Sequence, residues 1–176
     1  MEEKIQSTQA IFDGRIVHLK VHDVLLPNGQ SSQREIIYHQ GAAGIVALDD
    51  DNNILLVRQY RLAARQISLE IPAGLLEPDE DPQATASREL QEETGYRPLE
   101  ITPLGGLYVA PGYTTEYIYL FLAKGYTYDP LPLDADEFVE TVNMPIIDAL
   151  QRIETGEIFE AKTIVALLRV ARLLGI

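Results

Sequence analysis

Three glutamates, Glu89, Glu92 and Glu93, crowd together directly after Arg88, and a fourth, Glu80, stands eight positions before that arginine. On a helix Glu89 and Glu93 are one turn apart and Glu92 is three residues from Glu89, so the carboxylates share a face. Two kinds of chemistry fit. The plain one is a solvated acidic face, where mutual repulsion costs roughly tenths of a kcal/mol. The other is a hard divalent cation site, because oxygen donors suit Mg²⁺, or Mn²⁺ in its place, and a cation turns the repulsion into binding. Zinc fits less well: the chain has no cysteine, and its three histidines all lie within the first 39 residues.

These side chains need a helix, and the flanking sequence provides one. Asp81 suits an N-cap and Pro82 the first helical position, where its missing N–H costs nothing; the helix is predicted to reach about Glu93 and to stop at Gly95, which can take the left-handed cap. The preceding stretch, 72–81, is rich in Pro, Gly and acidic residues and reads as an irregular loop. Upstream, Val17, Leu19 and Val21 alternate with His18, Lys20 and His22, and Asn28-Gly29 makes a hairpin turn before Ser31 to Tyr38. Gly44–Leu48 and Ile54–Val57 read as buried strands joined by an acidic loop. Further strands are predicted at Leu104–Val109, Tyr117–Ala123 and Val139–Met144. A short helix follows from Pro145 to near Gly156, and Ile164, Leu167, Leu168, Ala171 and Leu174 have the spacing of an amphipathic terminal helix. Strands interleaved with three helices make an α/β arrangement of the α+β type.

Of the 176 residues, 46% are hydrophobic and 23% charged, enough to bury a core in one domain of ordinary size. The formal net charge of −13 argues against a broad grip on nucleic acid, which depends on Lys and Arg neutralising phosphates. A small phosphorylated ligand would need bound metal or a few placed arginines. The absence of cysteine excludes disulfides and fits a reducing compartment. With no signal-peptide core after Met1-Glu2-Glu3-Lys4 and no 18-residue apolar run, a cytoplasmic protein without a membrane partner is expected.

From Gly74 to Tyr96 the chain resembles the Nudix box, G-x5-E-x7-R-E-U-x-E-E-x-G-U with U a bulky apolar residue. Gly74, Glu80, Arg88, Glu89, Glu92, Glu93 and Gly95 fill its fixed positions, Leu90 meets the apolar requirement, and Tyr96 is a looser fit at the last. The resemblance implies a Nudix fold, a mixed sheet sandwiched by helices, with the N-terminal antiparallel region (1–40) beside a Nudix domain (41–176). It further implies that Glu89, Glu92 and Glu93, with the Ala73 carbonyl, bind Mg²⁺ for hydrolysis of a nucleoside diphosphate derivative. Arg88 would hold an acidic side chain of the box, Glu92, in position. A carboxylate would take the water proton.

Outside the box the chain resembles the ADP-ribose pyrophosphatase branch over most of its length. The patch Val57-Arg58-Gln59-Tyr60-Arg61, followed by Leu69-Glu70-Ile71-Pro72-Ala73-Gly74, implies a phosphate contact from Arg58 and places Glu70 near the substrate or metal shell. Pro111, fifteen residues beyond Tyr96, is the downstream proline of that branch; with Gly112 it belongs to a substrate loop whose Glu116 is the implied general base. Read alone, Pro111-Gly112 is a turn. Phe12, in Phe12-Asp13-Gly14-Arg15, and Arg34 match positions that stack the purine and supply cationic contacts, although Phe12 serves equally well as a core residue. A third patch, Gly156 to Leu167, resembles the branch's terminal helix entry and otherwise reads as packing.

In that branch the N-terminal strands exchange between subunits, which implies a homodimer with composite sites. ADP-ribose is the expected substrate, with GDP-mannose or another nucleoside diphosphate sugar as the alternative. A non-catalytic ADP-ribose-binding regulator is a rival of another class, and the intact set Glu89, Glu92 and Glu93 argues against it.

Overall fold

The computed structural model describes residues 1–133 and 137–176. In chain order the elements are β1 (Lys4–Asp13), β2 (His18–Leu25), β3 (Ser31–Tyr38), β4 (Ala42–Leu48), β5 (Asn53–Arg61), β6 (Gln66–Glu70) and β7 (Ala73–Leu75). Then come α1 (Pro82–Thr94), β8 (Tyr96–Tyr108), β9 (Tyr117–Tyr128), β10 (Val139–Pro145), α2 (Ile146–Glu154) and α3 (Ala161–Leu174). They divide between two compact units: residues 1–41 with 108–117, and residues 42–107 with 118–176. No helix among the described residues is long and apolar enough to cross a membrane.

The first unit holds a three-stranded antiparallel sheet in the order β1-β2-β3. The Asn28-Gly29 turn forms as the sequence predicts, with Gly29 at a positive φ of 84°. Two things differ. β1 is an extra strand, exposed along its whole length, so no buried alternation betrays it in the sequence. On β2 the predicted polar face is the one covered: His22 is buried, its ring bonded to Thr8 Oγ1 (2.8 Å) and the Tyr38 hydroxyl (3.0 Å), while Lys20 lies over the Tyr38 ring. A buried imidazole with both nitrogens partnered is a comfortable interior group.

In the second unit, β4 is buried at every residue and sits inside a mixed sheet, antiparallel to β5 and parallel to β9, in the order β10-β5-β4-β9-β8. β6 pairs with β5 and β7 with β4. Because side chains alternate along a strand, the sheet has two apolar faces. One face, with Val46, Leu56 and Leu120, packs on Ile146 and Ala149 of α2 and on Ala166, Leu167 and Val170 of α3. The other, with Ala43, Ile45, Ala47 and Phe121, packs on Ala86 and Leu90 of α1.

Helix boundaries follow their caps. Asp81 accepts the N–H groups of Gln83 and Ala84, Pro82 opens α1, and Gly95 closes it at φ 80°. Elsewhere the predicted elements are extended: β8 begins at Tyr96 and runs through Pro98 and Pro103, tolerated because it is an edge strand. The stretch expected to be irregular, 72–81, contains β7, which pairs with β4 through only three residues.

Candidate active site

Within α1, Glu89 and Glu93 point inward, at 7% and 5% exposure, and Glu92 is half-buried. The sheet's short extra strand meets them. The Ala73 N–H donates to Glu93 Oε2 at 3.0 Å, and a Cβ placed on Gly74 would overlap the Glu89 carboxylate. Gly74 is therefore required for space, because the acid lies directly against its backbone.

Arg88 gathers three of the acids. Its Nη1 donates to Glu89 at 2.7 Å and to Glu92 at 2.8 Å, and Nε and Nη2 form a fork on Glu80 at 3.1 Å each. The Arg88 hydrogen bond holds the Glu80 carboxyl down at about 2. The expected pairing of Arg88 with Glu92 is present, and the guanidinium also stands between Glu92 and Glu89. Hence, among the described residues, no three acidic or histidine side chains are already gathered as a cation cage.

The two inward acids are in an unfavourable setting. Burial pushes Glu93 up to about 8; the charges of Glu89 and Glu137 push the same way, against the Ala73 N–H and Lys162. Burial likewise pushes Glu89 up to about 7, opposed by Arg88 and reinforced by Glu92 and Glu137. Buried carboxylates lacking enough compensating positive charge are the setting in which a cation is worth most. With oxygen the only donor type, the residues fit a hard divalent ion. The charge of Glu137, outside the box and without a periodic signal in the sequence, also bears on both buried acids.

Glu70, wholly buried, lies on the neighbouring strand. Burial alone would raise it, but Arg61, through a two-pronged pair at 2.7 Å each, and Lys162 hold it down at about 2. In the 57–61 patch, Arg61 thus joins the buried cluster, and its charge feels Glu93. Arg58, for which the resemblance implies a phosphate contact, pairs with Glu140 across β5 and β10 at 3.0 Å.

The remaining sequence-derived positions belong to the first unit. Phe12 is 58% exposed on β1 with its ring against Gly14, so it is not a core residue. Arg34 pairs with Glu3. Pro111 and Gly112 lie in an exposed turn closed by Tyr113 and Thr114 N–H groups on the Ala110 carbonyl. Half-buried Glu116 follows, its N–H on Thr114 Oγ1 and its carbonyl accepting from Val109.

A family model described as the NUDIX domain matches residues 38–167. A protein of Bacillus methanolicus named methanol dehydrogenase activator is 45% identical over 167 residues, covering 94% of this chain and 90% of its own. An ADP-ribose pyrophosphatase of Bacillus subtilis is 41% identical over 169 residues, covering 95% and 91%. The crystal structure of an ADP compounds hydrolase shares the fold, with a TM-score of 0.88 over 99% of this chain and 95% of that one at 23% identity.

Proposed function

Because the chain belongs to the Nudix hydrolase family, with an ADP-ribose pyrophosphatase among its relatives, we propose that it is a Mg²⁺-dependent enzyme cleaving ADP-ribose to AMP and ribose 5-phosphate. One observation carries the reading: Glu89 and Glu93 are buried side by side, raised in pKa by desolvation and by neighbouring acids, and set against the Ala73-Gly74 backbone. Such a pair is costly without a cation and useful with one.

Glu89, Glu93 and the Ala73 carbonyl would hold the ion, with Glu92 joining when Arg88 yields it. When bound, a divalent cation offsets phosphate charge and makes water a better nucleophile near neutral pH. Arg88 keeps Glu89, Glu92 and Glu80 from splaying. Arg61, pinned by Glu70, offers a fixed positive charge beside Glu93, and Arg58 offers a second on the same strand. Water adds to one phosphorus, its proton passes to a carboxylate, and the bridging P–O bond breaks to leave the second phosphate as the other product. For that proton Glu116 is the carboxylate the resemblance implies; Glu137, whose charge reaches both buried acids, is the second candidate. Phe12, Arg34, Pro111 and Gly112 would bind the nucleoside side, in a homodimer built on the 1–40 region.

The substrate is tested with purified protein and Mg²⁺ against ADP-ribose, GDP-mannose, NADH, a diadenosine polyphosphate and 8-oxo-dGTP, ranked by kcat/KM. ADP-ribose is expected to lead by at least tenfold. GDP-mannose in first place would move the assignment to the nucleotide-sugar alternative; turnover unaffected by EDTA would overturn the metal dependence.

A further inference from the structure

The patch from Gly156 to Leu167, read from sequence as a helix entry that packs, carries polar side chains that bond to residues at the end of β6. Glu160 caps α3, accepting from the N–H groups of Lys162 and Thr163 at 3.0 Å each. Its carboxylate also accepts the Thr163 hydroxyl at 2.9 Å and the Lys162 ammonium at 3.2 Å. Both residues then bond across to the end of β6. The Ile71 N–H donates to Thr163 Oγ1 at 3.0 Å, and Lys162 Nζ donates to Glu70. Two residues further on, the Ala73 N–H holds Glu93.

We infer that Lys162 and Thr163 are positioning residues for Glu93, fixing residues 70–73 so that the Ala73 N–H and carbonyl stand where Glu93 and a cation need them. The inference rests on the proposed metal role of Glu93. Three features support it beyond packing. Thr163 and Lys162 are buried, so the bonds they make are not exchanged with water. The segment they hold contains Pro72, which donates no N–H, so Ile71 and Ala73 donate the flanking hydrogen bonds, one to Thr163 and the other to Glu93. Side-chain packing alone requires neither the hydroxyl of Thr163 nor the charge of Lys162; a valine and a methionine would fill the same places.

Thr163→Val keeps the shape and removes the acceptor of the Ile71 N–H; Thr163→Ser restores it. Mn²⁺ binding, followed without substrate as free Mn²⁺ by electron paramagnetic resonance, is expected to weaken about tenfold in Thr163→Val, the lower end for groups that orient metal ligands. In Thr163→Ser it is expected to stay within about twofold of the parent. With ADP-ribose, kcat should fall in step while KM changes little. Lys162→Met, whose stem still fills its place, carries the same expectation through Glu70 and keeps the test in force if Thr163→Val does not fold. Folded variants with parental Mn²⁺ affinity and kcat overturn the inference. Glu93→Gln is the control. If it loses Mn²⁺ while Thr163→Val and Lys162→Met do not, only the inference falls; if none of the three loses Mn²⁺, the metal role of Glu93 falls with it.

Discussion

Replacing Glu93 by glutamine separates what the residue does for folding from what it does for chemistry. The folded carboxyl holds its proton up to about pH 8, against an ordinary value of 4.5. Between those values the folded state binds a proton that the unfolded chain has released. Stability of the metal-free protein therefore falls as pH rises through that window. At pH 8, relative to a neutral isostere, the buried carboxyl costs about 4 kcal/mol; at pH 5 it costs less than about 1 kcal/mol. Glutamine keeps an oxygen to accept the Ala73 N–H. Urea unfolding in EDTA, followed by circular dichroism, should show Glu93→Gln more stable than the parent at pH 8 by a few kcal/mol, with the gap nearly closed at pH 5. Saturating Mg²⁺ should stabilise the parent and leave the variant unchanged. A variant no more stable than the parent at pH 8, or a gap equal at both pH values, would refute the reasoning.

Gly74→Ala should fold yet lose about 10- to 100-fold in kcat, because the new methyl displaces the Glu89 carboxylate; steady-state kinetics beside a thermal melt checks it. Arg88→Lys should weaken Mn²⁺ binding by about tenfold or more, since one ammonium cannot serve Glu80, Glu89 and Glu92 together. Glu116→Gln should lower kcat with ADP-ribose by about 10²- to 10⁴-fold. Glu137→Gln should do less, and the reverse order in the same assay would move the proton to Glu137.

The sequence made the acidic helix legible because its signals are local: Asp81, Pro82 and Gly95 act on their own neighbours, and the caps formed where expected. Buried runs such as Ala42–Leu48 were equally readable, since a strand covered on both faces is apolar throughout. β1 was not, because an exposed edge strand carries no core-facing period. For the candidate site, the sequence named residues and not their partners. Spacing placed Arg88 with Glu92, but only the fold shows the guanidinium also holding Glu89 and Glu80. In the 57–61 patch, sequence pointed to Arg58 alone, and only the fold shows Arg58 paired with Glu140 and Arg61 with Glu70. Lys162 and Glu137 lie far from the box in sequence, so nothing local could link them to Glu93.

The central claim, that Glu89 and Glu93 exist to hold a cation against a diphosphate, is tested most directly by a crystal structure with Mg²⁺ and a non-hydrolysable ADP-ribose analogue. The expected result is an ion about 2.0–2.1 Å from carboxylate oxygens of both residues and in contact with the diphosphate. Analogue bound elsewhere, with no ion between the two acids, would contradict it.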